Sequence, residues 1–319
     1  MSVAIKRVSD PLSSSPGTEK SAADRARLFE YSQAANPIRA NLTPRIPHRL
    51  FTATLYADGP TRVVPLDLSR ELKCEGPATG PGLCANFIRL LAGEPLRLRE
   101  NVSSQVFYVI RGEGVAQVGE ETFAWSKGDF FTAPGTLPTQ LTASADAALY
   151  YVHDAPLLRY LGVTADRPRF KPALFDHVAA ERELELVAGD PAAAKRSRIS
   201  VLLGAEEFPL TRTVTHVLWA MYGLTEPRTQ QKPHRHQSIA LDFIVDCDPG
   251  CYSLLGVELD AKGDIRNPTR VDWQPGCVFV TPPGYWHAHF NESDRRARLI
   301  PIQDAGLQTY LRTLDIRFT

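Results

Sequence analysis

The stretch WQPGCVFVTPPGYWHAHFN, residues 273–291, decides how the chain is read. An apolar run, CVFV, is closed by Pro-Pro-Gly, and two histidines one residue apart, His287 and His289, follow. Short runs rich in β-branched and aromatic residues, bounded by Gly and Pro, mark strands. An earlier stretch, WSKGDFFTAPG at 125–135, has the same pattern at an offset of 148: Trp125 matches Trp273, Gly128 matches Gly276 and Pro134 matches Pro282.

Working outward, HDAPLLRYL (153–161) matches QDAGLQTYL (303–311) at an offset of 150, and VFYVI (106–110) matches LDFIV (241–245) at 135. Three blocks in one order identify an internal duplication. The change of offset from 135 to 148 corresponds to a longer turn around residues 250–270 of the second copy. Between the matched blocks, GLCANFIRLLA, QVFYVIRG, EGVAQVGEETFAW and ALYYVHD in the first copy read as strands. So do RISVLLG, TRTVTHVLWAMYG, ALDFIVD, CYSLLGVEL and GCVFVTP in the second. The expected chain is all-β. Residues 1–48 form a mobile segment (1–18), a helix capped by Ser21 with Asp24 and stopped by Pro37, and a Pro-punctuated arm. A first unit at 49–162, a linker with at most a short helix at 163–198, and a second unit at 199–319 complete it.

The bulk composition narrows the function. The 319 residues carry 36 Lys+Arg and 36 Asp+Glu, so the formal net charge is zero. A nucleic-acid binder shows a basic excess. No window is apolar for the ~18 residues a membrane span needs, and the N-terminus lacks a signal-type apolar core. Five cysteines give no disulfide framework, and Cys247-x-x-x-Cys251 has no second pair to complete a zinc site. The expectation is a reduced, cytoplasmic protein.

The duplication isolates the histidines. His234 and His236, in KPHRHQSIALDF (232–243), align with Arg99 and Asn101 of the first copy, and His287 aligns with Thr139. Imidazoles needed only for folding would be needed in both copies. Side chains at i and i+2 of a strand point the same way, so His234 and His236 converge. His287, after a β-run and a Pro-Pro-Gly turn, sits as a third ligand from a partner strand would. Three neutral nitrogens leave coordination positions open, the mark of a reactive site.

At this point the sequence resembles a family. Gly276-x5-Pro282-x-Gly284-x2-His287-x3-Asn291 matches the second signature of the cupins, and His234-x-His236 matches the start of the first. The glutamate many cupins place four or five residues later is absent, those positions holding Ala240 and Leu241. Within the cupins, PHRHQSIALDF is similar to the gentisate and salicylate 1,2-dioxygenases. The resemblance implies two cupin (double-stranded β-helix, jelly-roll) domains; the first, with Arg99, Asn101 and Thr139 at the three positions, is expected to hold no metal. It also implies gentisate-like, extradiol-type ring cleavage by Fe(II) on His234, His236 and His287, with a small aromatic acid and O2 as partners and a homo-oligomer; the charge balance and hydropathy above add the expectation of no nucleic acid and no membrane. His289, two residues after the third ligand, is implied as a catalytic group, and Trp219 as a pocket residue.

The chain departs from that family in two ways: the triad lies in the second copy, and Asp242 stands where an arginine binds the substrate carboxylate. Either another cation anchors the acid, for which Arg212 and His216 on one upstream strand face are candidates, or the substrate presents an amine or hydroxyl there. Alternatively, Asp242 is a solvated rim charge paired with an arginine. Trp286, beside His287, is either a pocket wall or plain packing. His153, matched by Gln303, reads as structural. Two other classes stay open: a three-histidine cupin with β-diketone cleavage or isomerase chemistry, and a non-enzymatic small-molecule-binding bicupin.

Overall fold

The computed structural model describes residues 20–193 and 196–319. The segment 1–18, expected to be mobile, lies outside the described residues. The described residues up to Thr43 form one unit, and residues 44–319 form another. In the first unit the expected continuous helix is broken. Ser21 and Asp24 do form a capping box, but the helix covers only Ala22–Arg25, and a second turn, Tyr31–Ala34, follows an extended stretch. Neither turn buries a side chain. Helices this short are not stable without an apolar face to pack.

In the larger unit the duplication is visible strand by strand. The first copy's six-stranded sheet runs, in spatial order, Ala173–Phe175, Phe130–Pro134, Ser104–Arg111, Ala147–His153, Cys84–Leu90 and Arg62–Pro65. The second copy's runs Leu50–Phe51, Val278–Thr281, Ala240–Asp246, Ala297–Gln303, Trp219–Thr225 and Ile199–Leu203. Five strands correspond one to one, and the sixth strand in each sheet comes from outside the copy. Leu50–Phe51, at the very start of the first copy, pairs with Phe279 and Val278 of the second. Ala173–Phe175, ahead of the second, pairs with Thr132, Phe131 and Phe130 of the first. Each copy is closed into a barrel by a smaller sheet. In the first copy this is Pro95–Leu98, Thr139–Ala143, Glu113–Val118 and Glu121–Ser126, and in the second Thr269–Asp272, Cys251–Gly256, Trp286–Asn291, Thr229–Arg235 and Arg317–Phe318. The fold is all-β, a pair of cupin barrels.

Strand alternation separates three cores. Side chains on one face of the two large sheets meet each other: Tyr150 stacks on Phe243 with ring centroids 5.1 Å apart, and Phe130 meets Tyr222 edge-on. The opposite faces line the two barrel interiors. Gly276, one of the matched glycines, has φ +77°, and a Cβ there would lie 2.2 Å from the Tyr56 hydroxyl, which donates to the Gly276 carbonyl.

Two expectations are corrected. The linker holds a 13-residue helix, His177–Gly189, capped by the Asp176 carboxylate, which buries Ala180 and Leu184 beside Ile199–Leu203. And TRTVTHVLWAMYG is not one strand: residues 211–218 form turns, Arg212 has φ +53°, and the strand begins at Trp219.

A candidate metal centre in the second barrel

His234 lies on Thr229–Arg235 and faces His287 of Trp286–Asn291 in the ladder. On the second of these strands Phe290 stacks on Tyr252, whose ring is covered by the exposed Arg270, so Trp286, Ala288 and Phe290 mark the outer face. His287 and His289 therefore point inward. Arg235, out of phase with His234, lies outside over the Trp286 ring. His236 follows the end of its strand. The Pro-Pro-Gly turn ties back to it, the Gly284 N–H donating to the His236 carbonyl at 2.7 Å. One nitrogen each of His234, His236 and His287 falls in a group whose members lie within 4.8 Å of one another, all three residues being buried.

The hydrogen bonds assign the tautomers. Carbonyl oxygens only accept, so a ring nitrogen facing one must carry the proton. Nδ1 of His234 faces the His287 carbonyl at 3.1 Å, Nδ1 of His236 the Ser238 carbonyl at 2.9 Å, and Nδ1 of His287 the Tyr285 carbonyl at 3.1 Å. Each ligand candidate thus keeps its lone pair on Nε2. Nε2 of His236 is buried with no partner among the described residues, as a nitrogen kept for a cation would be. The Ser238 hydroxyl also touches His236 Nδ1 at 2.9 Å and donates to Gln303 Oε1 at 2.7 Å.

His289 is wired differently. Its Nδ1 lies 2.7 Å from the Ser253 hydroxyl, which accepts from Trp273 Nε1 at 2.9 Å. With Trp273 donating, the Ser253 hydroxyl still has its proton to give to His289 Nδ1. In that arrangement the imidazole N–H lies at Nε2, and His289 can donate where its three neighbours accept.

Burial pushes all four imidazoles down: His236 to about 4, and His234, His287 and His289 well below the usual range, with mutual repulsion and Arg198 adding to it. Neutral imidazoles are the form that binds a metal.

The large sheet supplies the other wall. Leu241 and Phe243 belong to the core between the barrels, so Asp242 points into the second barrel. It is 2 % exposed and accepts from the Thr281 hydroxyl at 2.7 Å, and burial raises it to about 7. The solvated-rim reading of Asp242 is overturned. Its counterpart at the offset of 135 is Phe107, sandwiched between Phe131 and Tyr151 at 4.5 and 4.6 Å. The first barrel is plugged by aromatic rings where the second places a carboxylate. Arg99 there is exposed, Thr139 pairs with Leu98, and the Asn101 amide donates to the Val163 carbonyl.

Trp219 alternates with Ala220 and Tyr222 of the shared core, so it faces the barrel interior beside its ladder partner Gln303. Its Nε1 is buried without a partner among the described residues. Trp286 is not a pocket wall, because a residue adjacent to an inward histidine on a strand must face outward. Nor do Arg212 and His216 reach the site as a shared strand face. Arg212 is exposed, and His216 is engaged with the first barrel through Ser103 at 2.9 Å and Ser104 at 3.4 Å. Sequence reading missed Arg198, whose guanidinium contacts Gln231 Oε1 and the His234 ring. It also missed Ser238, Ser253 and Gln303. Gln303 carried a signal, since the duplication sets it opposite His153. Arg198, at the end of the linker, carried none.

No protein-family model matches the chain. Over 150 residues it is 31% identical to a gentisate 1,2-dioxygenase of Aquipseudomonas alcaligenes, covering 45% of this chain and 39% of that enzyme. Over 80 residues it is 30% identical to a 5-aminosalicylate 1,2-dioxygenase of Comamonas sp, covering 25% and 21%. The chain thus matches about two fifths or less of the length of these curated relatives. Among solved structures, the salicylate 1,2-dioxygenase of Pseudaminobacter salicylatoxidans superimposes with a TM-score of 0.68 at 14% identity, over 87% of this chain and 90% of that one. An oxalate decarboxylase of B. subtilis gives 0.53 over 79% and 76% at 14% identity. Among the described residues, no helix is long and apolar enough to cross a membrane.

Proposed function

We propose that this bicupin, similar to the gentisate and salicylate 1,2-dioxygenases, is an Fe(II)-dependent ring-cleaving dioxygenase of hydroxylated aromatic acids, amino-substituted ones included. The observation that carries the reading is the gathering of His234, His236 and His287 in one barrel, each with its Nδ1 proton spent on a backbone carbonyl.

These three residues would hold Fe(II) through Nε2. Bound there, it would supply a redox-active Lewis acid at which adjacent oxygens of the substrate and O2 meet. The chain's own groups do the rest. The backbone carbonyls fix ring orientation and proton position before any ligand arrives, which lowers the reorganisation needed. His289, as an Nε2–H donor, holds the substrate's ring hydroxyl oxygen, stabilising it as it loses its proton. Trp219 offers a flat apolar wall and one N–H. The burial of all four imidazoles excludes bulk water. The overall reaction breaks one ring C–C bond and places both atoms of O2 in the product, so no external reductant enters.

The test is oxygen uptake by the full chain, reconstituted anaerobically with Fe(II), across substituted salicylates and gentisate. The expected result is one O2 consumed per acid opened. Protein that holds about one iron per chain and consumes no oxygen with any hydroxylated aromatic acid would overturn the reading in favour of other three-histidine chemistry. Protein that holds no metal would overturn it in favour of a binding bicupin.

A further inference from the structure

The duplication carries a second serine–imidazole contact, away from the metal centre. Ser103 and Ser238 are matched at the offset of 135, and Asp154 and Asp304 at 150. Each carboxylate accepts the backbone N–H of the residue after its serine, Ser104 to Asp154 and Ile239 to Asp304, both at 3.0 Å. Each serine hydroxyl also meets an imidazole at 2.9 Å. In the second copy that ring is His236 of the same barrel. The first copy has Asn101 at that position, and its serine meets His216, which the second copy supplies.

The hydrogen bonds of this junction run in one direction. The Ser103 hydroxyl donates to the Asp154 carboxylate, so it accepts from His216 Nε2–H. Nδ1 is left to accept from the Ser104 hydroxyl at 3.4 Å. Burial pulls the ring down to about 4, so it is neutral, as this chain of donors requires. Phe170 and Phe208 pack beside it, with ring centroids 6.0 and 6.1 Å away.

His216 lies in the irregular segment 211–218, which delivers the chain to Trp219. Among the described residues, its two serine contacts are the only hydrogen bonds from this segment to the first copy. Val217 is held from the other side, its carbonyl accepting from the Leu307 N–H at 3.1 Å. Trp219 is the first residue of its strand. Its ladder partner is Gln303 alone, whereas Ala220 is paired on both sides. Strand ends are where local opening begins. The indole nitrogen has no partner among the described residues, so the path of the backbone decides where the ring lies.

We propose that His216 is a positioning residue, a latch given by the second copy and received by Ser103 of the first, which fixes the incoming chain and so keeps Trp219 in the barrel wall. Its effect on a ligand rests on the reading of Trp219 as a wall of an aromatic-acid site; the latch itself does not.

The test replaces His216 by Phe, which keeps a ring and removes both bonds, and by Gln, which keeps an N–H near the place of Nε2. Circular dichroism checks folding, and His216→Ala stands in should the Phe variant not fold. Amide hydrogen exchange of the full chain, read by mass spectrometry with no ligand added, should be at least about 10-fold faster over residues 211–222 in His216→Phe, the mark of a local opening. It should be unchanged over Cys84–Leu90. Salicylate binding to Fe(II)-loaded protein, followed anaerobically by calorimetry, should weaken about 5- to 10-fold, the worth of about one neutral hydrogen bond. Metal content should not change, and KM should rise more than kcat falls. His216→Gln should recover part of both effects. Exchange that is unchanged, or faster throughout the chain, would overturn the assignment. So would local loosening with unaltered salicylate affinity. If exchange and salicylate binding respond as expected yet the parent takes up no oxygen, the dioxygenase reading falls and the latch stands. If oxygen is consumed and His216→Phe keeps the parent's exchange and KM, the reverse holds.

Discussion

His234 and His287 stand opposite one another on neighbouring antiparallel strands, and the Nδ1–H of the first donates to the backbone carbonyl of the second at 3.1 Å. One candidate ligand is thus oriented by the main chain of another, and side-chain truncation separates the two roles. His287→Ala removes a nitrogen but leaves the carbonyl that orients His234. This variant should lose bound metal and keep its fold. Elemental analysis together with circular dichroism checks both. A variant that retains a full equivalent of metal would show that His287 is not a ligand.

Two serines divide the work around the centre. Ser238 bears on a ligand candidate and Ser253 on the donor His289. Ser238→Ala keeps the backbone carbonyl that orients His236 and removes only the hydroxyl, so metal affinity should fall by no more than about 10-fold, the lower end for loss of a group around a ligand. Ser253→Ala should leave metal content unchanged, lower kcat about 10-fold or more, and alter its pH profile, because His289 would no longer be held as the Nε2–H form. It should also cost about 1–3 kcal/mol in stability, since the buried Trp273 N–H loses its acceptor. Metal titration and steady-state kinetics on both variants distinguish the pair.

The two tryptophans should behave in opposite ways. Trp286 lies on the outer face under Arg235, and Trp286→Phe should leave kcat/KM within about 2-fold of the parent, as expected away from buried features. Trp219 faces the barrel interior, and Trp219→Ala should raise KM. Equal effects would mean that the inward and outward faces have been assigned the wrong way round.

His153 predicts an acid-side dependence of stability outside the metal centre. Burial holds it down to about 3 from an ordinary value of 6.5, so the unfolded chain takes up a proton first as the pH falls. The stability this group contributes is fully present above pH 6.5 and is lost between 6.5 and about 3. At pH 5 the loss amounts to about 2 kcal/mol. His153→Gln, the residue the second copy uses at its matched position, should melt closer to its neutral-pH value at pH 5 than the parent does. Paired thermal melts at pH 7 and pH 5 measure the difference.

Much of the architecture was legible because duplicated strands carry local signals. Apolar runs, matched glycines and Pro-closed turns survive in both copies, and a histidine at i and i+2 announces a shared direction. The same rule, applied to Trp286 and His287, would have sent the tryptophan outward without a structure. Comparison of Asp242 with Phe107 would likewise have placed the carboxylate inside the barrel. The rest depends on tertiary geometry. Arg198 reaches His234 from the end of a linker, across strands whose pairing no local pattern encodes. The helix after Ser21 failed for the opposite reason: its cap was correctly read, but it has no apolar stripe to bury.

The strands exchanged by the two barrels set a limit on how this chain can be dissected. Leu50–Phe51 completes the sheet behind the histidines, and from the other copy the Tyr150 hydroxyl donates to the Leu241 carbonyl, one residue from Asp242. Severing the polypeptide at residue 198 would strip the second half of its Leu50–Phe51 edge and lay bare the aromatic seam between the halves. The copy without the three histidines acts as a mould for the one that gathers them, so neither is a portable module, and damage far from any imidazole is felt at the candidate metal centre.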